Sequence, residues 1–177
     1  MIGIMCNDTD FLEIMEKRYS VRSYSDKPVE KEKLERILRA ARIAPTAVNK
    51  QPQRIYVLQS EEALKKAAQV TRFTFGAPII LLVCSDTKVG HTMADGQYIG
   101  TVDASIAMTQ MMLEATELGL GTCWVRGFMR DDVSKVFGLP DNILPEGMLT
   151  LGYPAADAVP SKLHSERIPM DDMVTYL

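Results

Sequence analysis

Between Thr101 and Leu118 the chain sets Val102, Ile106, Met108, Met111, Met112, Leu113, Ala115 and Leu118 around most of the circumference of a helix. A surface helix shows a single apolar stripe. One that is apolar on several sides must lie inside the molecule, with other elements packed around it. The pattern therefore predicts a central helix over Thr101–Leu118, ended by Gly119 and Gly121. The run Ala77–Cys84, rich in Ile, Leu and Val, has the length of an interior strand and falls far short of a membrane span.

The remaining segments supply what must cover these two. Asp10 and Glu13 form a candidate capping box for a first helix with Phe11, Ile14 and Met15 on one face, fraying near Arg18 to Ser20. Pro28 suits the start of a second helix, in which Leu34, Ile37, Leu38 and Ala41 share one side before Pro45 closes it. A polar loop, Thr46 to Gln51, lies between Pro45 and Pro52. Strands are expected at Ile55–Leu58, Thr122–Val125 and Met148–Leu151. A short helix opens at Ser60, a loop runs from Asp86 to Gly100, and a further helix, Asp131–Phe137, ends at Gly138. The tail from Pro154 has little core pattern of its own and must pack on something. With no internal repeat, this reads as an α+β fold: an N-terminal arm over residues 1–10 and a single domain over 11–177.

Charge and composition exclude several classes of function. The 177 residues are 46% hydrophobic and 24% charged, the balance of a globular chain with a real core. Net charge is −3 with 20 Lys and Arg spread among 23 acidic residues, so no basic stripe suits nucleic acid. An anionic ligand must then be held by a local cluster. Cys6, Cys84 and Cys123 lack C-x-x-C spacing, and His91 and His164 have no companion at metal-ligand spacing, so no metal site is expected. The first ten residues are too acidic and too short in apolar length for a secretory signal, which makes the cytoplasm the expected location and a membrane an unexpected one.

Four segments carry polar groups that packing does not demand. Arg18-Tyr19-Ser20-Val21-Arg22 puts two guanidiniums and a hydroxyl within about one turn, a set that reads alone as a solvated helix end before it reads as a cradle for phosphate oxygens. Asn49 and Gln51 present donor and acceptor together, which suits the edge of a pyrimidine-like ring or an ordinary turn between prolines. Gly127, after the strand Thr122–Val125 and Arg126, allows close approach of backbone N–H groups to a flat ring. Arg167 stands alone in the tail. No nucleophile–base signature occurs, so no catalytic acid, base or nucleophile is assigned.

In this order the segments resemble the nitroreductase family of flavoproteins. Arg18–Tyr24 resembles its R-x-S-x-R-x-[FY] opening, and Ala44–Pro52 its A-P-S-x-x-N-x-Q-P loop. Gly119–Trp124 is similar to its G-L-G-T-C-W stretch, Leu151–Pro154 to its L-G-Y-P, and Arg167-Ile168-Pro169 with Asp171 and Asp172 to its closing R-x-P-x-[ED]-[ED]. The sequence departs from the pattern at Val48, where glycine is common, at Gln53, where an aromatic often follows Q-P, and at Arg126, where many members have glycine.

The resemblance implies a central mixed, mainly antiparallel sheet flanked by helices in an intertwined homodimer, with residues 154–177 lying across the partner subunit. It implies FMN as cofactor and NADH or NADPH as co-substrate, in ping-pong reduction of nitroaromatics, quinones or a related small acceptor. Carried over by position, Arg18, Ser20 and Arg167 hold the phosphate and ribityl chain, with Tyr19 in the same segment. Arg22 lies near the pyrimidine end, and Asn49 and Gln51 read the ring's polar edge. Pro45, Thr46 and Ala47 come from the second subunit, and Arg126 and Gly127 offer backbone N–H groups near N5. A dehalogenase and a flavin-destroying enzyme stay within the same resemblance, though the short segment between Cys84 and Thr101 leaves little room for the lids they use; a non-catalytic flavin-binding or sensing module is the reading from another class.

Overall fold

A computed structural model describes residues 10–177, so the expected arm over 1–10, Asp10 apart, and Cys6 lie outside the described residues. The order of elements is α1 (Phe11–Lys17), α2 (Lys31–Arg42), β1 (Gln53–Leu58), α3 (Glu61–Val70), β2 (Ile79–Asp86), α4 (Gly100–Glu117), β3 (Gly121–Val125), α5 (Arg130–Phe137), β4 (Ile143–Gly152) and α6 (Met170–Met173). Single 3-10 turns occur at Ala47–Asn49 and Lys162–His164.

The four strands form one sheet in the order β1-β2-β4-β3, every pairing antiparallel. The parallel component that makes it mixed is one bridge, Ser20 to Thr122. All eight residues of β2 are buried. Successive side chains of a strand point to opposite faces, so Ile79, Leu81 and Val83 meet α2 and α4 while Ile80, Leu82 and Cys84 meet α3 and α5. That two-sided burial is why the run is continuously apolar. Each fully buried Leu, Ile or Met contributes about 2 kcal/mol of burial free energy.

The central helix stands as expected. Ala104, Ala107, Met108, Met111 and Ala115 of α4 are buried, packed on the sheet and on Ile37 and Ala41 of α2. Among the described residues, a largely apolar groove of about 330 Å³ stays open beside α4, between Phe11, Ile14, Ala40, Ile43 and Leu113, with Gln110, Glu114 and Glu117 on its polar side.

Several local readings need amendment. Asp10 caps α1, but its carboxylate accepts from Leu12 N–H at 3.1 Å and Glu13 pairs with Lys17, so no reciprocal capping box forms. Pro28 precedes α2 by three residues, because the helix is capped at an extended Glu30. The helix after Ser60 has ten residues. β4 begins at Ile143, well before Met148. Its early half contains Pro145 and Glu146, which break the apolar run, and a register shift faces them across Val83 and Cys84.

Candidate functional site

The segment after α1 is laid along the sheet edge by backbone pairing. Val21 N–H donates to the Thr122 carbonyl at 2.9 Å, and Val21 is buried. A Cβ on Gly121 would come within 2.5 Å of Val21 Cγ2, so a glycine in β3 is what lets the two backbones approach. Ser20 and Arg22, flanking the buried Val21, project the other way.

The same segment then grips the far end of the chain. Ser25 N–H donates to Tyr153 O at 2.9 Å, Ala155 N–H donates to Ser23 O at 3.1 Å, and Tyr24 bridges to Pro154. Tyr24 Oη lies 2.7 Å from Thr150 Oγ1 and donates to Val21 O at 3.0 Å; burial pushes its phenol well above the usual range. Tyr19 Oη donates to Ala158 O at 3.3 Å, and its ring meets His164 edge-on with centroids 6.3 Å apart. Ser161 Oγ accepts from Leu163 N–H and so caps the turn that carries His164.

These contacts bring Arg18, Ser20, Arg22, Ser161, Leu163, His164 and Arg167 around one cavity of about 210 Å³. Arg22 and Arg167 donate only to backbone carbonyls: Arg22 Nη1 to Ser20 O at 3.3 Å, and Arg167 Nη1 to Glu166 O at 2.6 Å and to Leu163 O at 3.5 Å. Among the described residues, no carboxylate forms an ion pair with Arg18, Arg22 or Arg167. In a chain of net charge −3, that is a concentrated cationic pocket, and its forked donors match the oxygens of a phosphate.

Arg22 also lines a second recess of about 230 Å³, with Phe73, Phe75, Cys123, Trp124, Val125, Arg126 and Gly127. The two recesses share this one guanidinium. Arg126 stacks on Phe128 at 4.8 Å and donates from Nη1 to Phe128 O at 3.2 Å, which fixes its side chain beside the recess. The expected reason for Gly127 changes in one respect. A Cβ there would meet the Phe73 ring at 2.6 Å, so a protein aromatic already exploits the approach that glycine opens. Phe75, at φ 54°, is a bulky residue in left-handed backbone, a conformation that costs free energy and is held by its surroundings. Burial raises the Cys123 thiol against the opposing pull of Arg22, and burial pushes Cys84 up to about 12. Neither thiol is a nucleophile at neutral pH.

The loop from Pro45 lies elsewhere. Ala47 N–H donates to Asp103 Oδ1 at 2.8 Å, which ties the loop to the first turn of α4. Val48, Asn49 and Gln51 have φ of 44°, 55° and 50°. A β-branched residue is strained in that region, which gives a physical reason why glycine suits the place Val48 occupies. Pro45, Thr46, Ala47 and Asn49 line neither recess, and Gln51 faces a third one with Leu38, Arg42 and Arg54. Within one chain, then, Arg18, Ser20, Arg22 and Arg167 come together, Arg126 and Gly127 join through Arg22, and Tyr19 braces the tail behind them. Asn49 and Gln51 do not join.

The Nitroreductase family profile matches residues 15–73 and 71–153. The chain belongs to the nitroreductase family. A solved structure of a nitroreductase family protein from Clostridium difficile 630 is 42% identical and superposes with a TM-score of 0.89, covering 95% of this chain and 98% of that one. An Archaeoglobus fulgidus protein, whose name pairs NADH dehydrogenase with NAD(P)H nitroreductase, is 35% identical over 81% of this chain and 84% of its own. A Bacillus subtilis protein named FMN reductase [NAD(P)H] is 29% identical over 89% of this chain and 71% of its own. The family profile stops at residue 153, and the geometry independently brings Arg167, expected from the closing motif, onto the cavity. Ser161, Leu163, His164, Phe73 and Phe75 were not legible as site residues. The one sequence signal near them is that His164 precedes Arg167 by three positions, one turn of backbone.

Proposed function

We propose that this nitroreductase-family chain is an FMN-dependent oxidoreductase that uses NADH or NADPH, by a ping-pong mechanism, to reduce nitroaromatics, quinones or a related small acceptor, and that it works as a homodimer. The observation that carries this reading is the cavity itself: guanidiniums from both ends of the chain, unpaired with any described carboxylate, beside an aromatic-lined recess reached by Arg22. That donor set fits a phosphate joined to a flat ring system. The relative named FMN reductase [NAD(P)H] supports the same cofactor and reductant.

Bound there, FMN supplies a ring that accepts and returns a hydride. In this reading the protein binds and orients. Arg18, Ser20 and Arg167 hold the phosphate and ribityl chain. Arg22 sets a positive charge at the junction of the two recesses, where it favours an electron-rich ring. Arg126 and Gly127 form the floor beside that ring. Pro45, Thr46 and Ala47, held by Asp103, serve the partner subunit's site, and Asn49 and Gln51 supply amides from the same loop. In this reading the groove beside α4 is where the second protomer packs, and the tail 154–177 also packs on that partner.

The expected result on purification is a yellow protein that releases FMN on denaturation and oxidises NADH or NADPH in the presence of a quinone or nitroaromatic. Arg18→Ala with Arg167→Ala should lower FMN affinity by about a hundredfold, two charge-assisted contacts at about tenfold each. A colourless protein with no affinity for FMN would overturn the reading. A yellow protein inert toward every reductant and acceptor would make the chain a flavin-binding module instead.

A further inference from the structure

The arginine cavity is lined by one imidazole beside its three guanidiniums. His164 ends the turn Lys162–His164, half-buried, its ring against Tyr19, and it lines the cavity with Arg18, Arg22 and Arg167. The other lining residues, Ser20, Ser161 and Leu163, are neutral, and Lys162 and Glu166 flank it along its own segment. Arginine stays charged at every accessible pH, and no carboxylate lines the cavity. Among the described residues, no carboxylate pairs with His164. That partner has to arrive with a ligand.

We propose that His164 is a proton-coupled phosphate ligand. Resting on the FMN reading above, a phosphate monoester bound among Arg18, Ser20 and Arg167 draws one proton from solvent onto the His164 imidazole, which then donates an N–H to a phosphate oxygen. The balance is simple: the proton leaves the buffer and joins a ring nitrogen, and no covalent bond to the ligand forms. An unperturbed imidazole titrates at about 6.5, and a dianion within hydrogen-bond reach favours its charged form. Linkage is reciprocal, so a ligand that promotes protonation binds more tightly where protons are abundant. FMN affinity should thus rise as pH falls from about 8 to about 6.5. Below about 6 the phosphate itself gains a proton and the benefit declines. His164 is a positioning and charge-supplying residue here, and the chemistry stays with the flavin.

Full-length apoprotein titrated with FMN and with riboflavin, followed by flavin fluorescence at about pH 6.5 and about pH 8, tests this, because riboflavin is the same ring without the phosphate. Wild-type protein should bind FMN about fivefold more tightly at the lower pH, with riboflavin unchanged. His164→Gln should remove that dependence, and comparison with it cancels the titration of the phosphate itself. His164→Lys, a fixed cation, should bind FMN tightly at both pH values. Calorimetry at about pH 7 in two buffers of different ionisation enthalpy should show proton uptake on FMN binding by the wild type and none by His164→Gln. Wild-type uptake and pH slope retained in His164→Gln would overturn the proposal. So would an equal loss of FMN and riboflavin affinity in that variant, which marks a purely structural residue. Wild-type protein that binds neither flavin overturns the underlying FMN reading, and the role of His164 with it.

Discussion

Glu146 sits where β4 carries one residue more than β2. Val83 faces Gly147 and Cys84 faces Pro145, so Glu146 is left in the bulge with its side chain turned inward and only 4% exposed. Its carboxylate is satisfied by three donors: Ser85 Oγ at 2.6 Å, Thr101 Oγ1 at 3.0 Å and the Arg130 guanidinium. The bulge thereby ties β2, the start of α4 and α5 to one point. Removing one partner of a buried pair leaves an uncompensated charge. Because Arg130 is itself 37% exposed and two hydroxyls still donate, Arg130→Ala should cost about 2 kcal/mol in urea denaturation, below the usual range for a fully buried pair. Lys65→Ala, which breaks an exposed helical pair with Glu61, should change stability by less than about 0.5 kcal/mol. Residues of this kind are opaque in sequence. Glu146 looks like a solvated charge until the bulge turns it inward, just as His164 looks like a stray tail histidine until Tyr19 draws the tail across the cavity. Arg18, Ser20 and Arg22 read from the residues alone as a phosphate set or a solvated helix end, and the fold brings all three onto one cavity with Arg167.

At the scale of elements, the segment from Arg18 to Ser25 organises the site. It pairs with β3 through Thr122 and with the chain beyond β4 through Tyr153 and Ala155, and Gly121 sets how closely it lies. Gly121→Ala should drive the segment outward against Val21. We expect about 1–3 kcal/mol of destabilisation, as for an overpacked core, and at least a tenfold loss of FMN affinity because Ser20 and Arg22 move with it. FMN affinity near the wild-type value in a folded Gly121→Ala protein would contradict this coupling. β2 was legible because burial on both faces leaves an unbroken apolar run, and α4 because apolar residues recur around most of its circumference. The first half of β4 was not, because Pro145 and Glu146 interrupt the pattern at the bulge. The start of α2 was misplaced because Pro28, Val29 and Glu30 are extended and the cap lies at Glu30. The amides of Asn49 and Gln51 in the loop at Val48 read as a ring edge or as an ordinary turn, and the motif order favoured the first as an expectation. The loop's left-handed backbone is invisible in composition.

Across the whole molecule, charge and apolar surface are each concentrated in one place. A chain of net charge −3 gathers three guanidiniums on one cavity, and its most central helix leaves an apolar groove open beside Phe11, Ile43 and Leu113. Among the described residues, no helix is long and apolar enough to cross a membrane. The Pro45–Gln51 loop lines neither recess and is held to the first turn of α4 through Asp103, and the proposed second copy is what would bring such a loop to a cavity. That assignment comes from the family resemblance, since which loop serves which subunit is a property of the assembly and not of one chain's composition or periodicity. The most direct test is the crystal structure of the FMN-loaded protein. The account predicts a dimer joined across α4, with each phosphate among Arg18, Ser20 and Arg167 of one protomer and each ring beside Arg22, Gly127 and the partner's loop. A flavin phosphate bound away from those arginines, or a site completed within one chain, would contradict it.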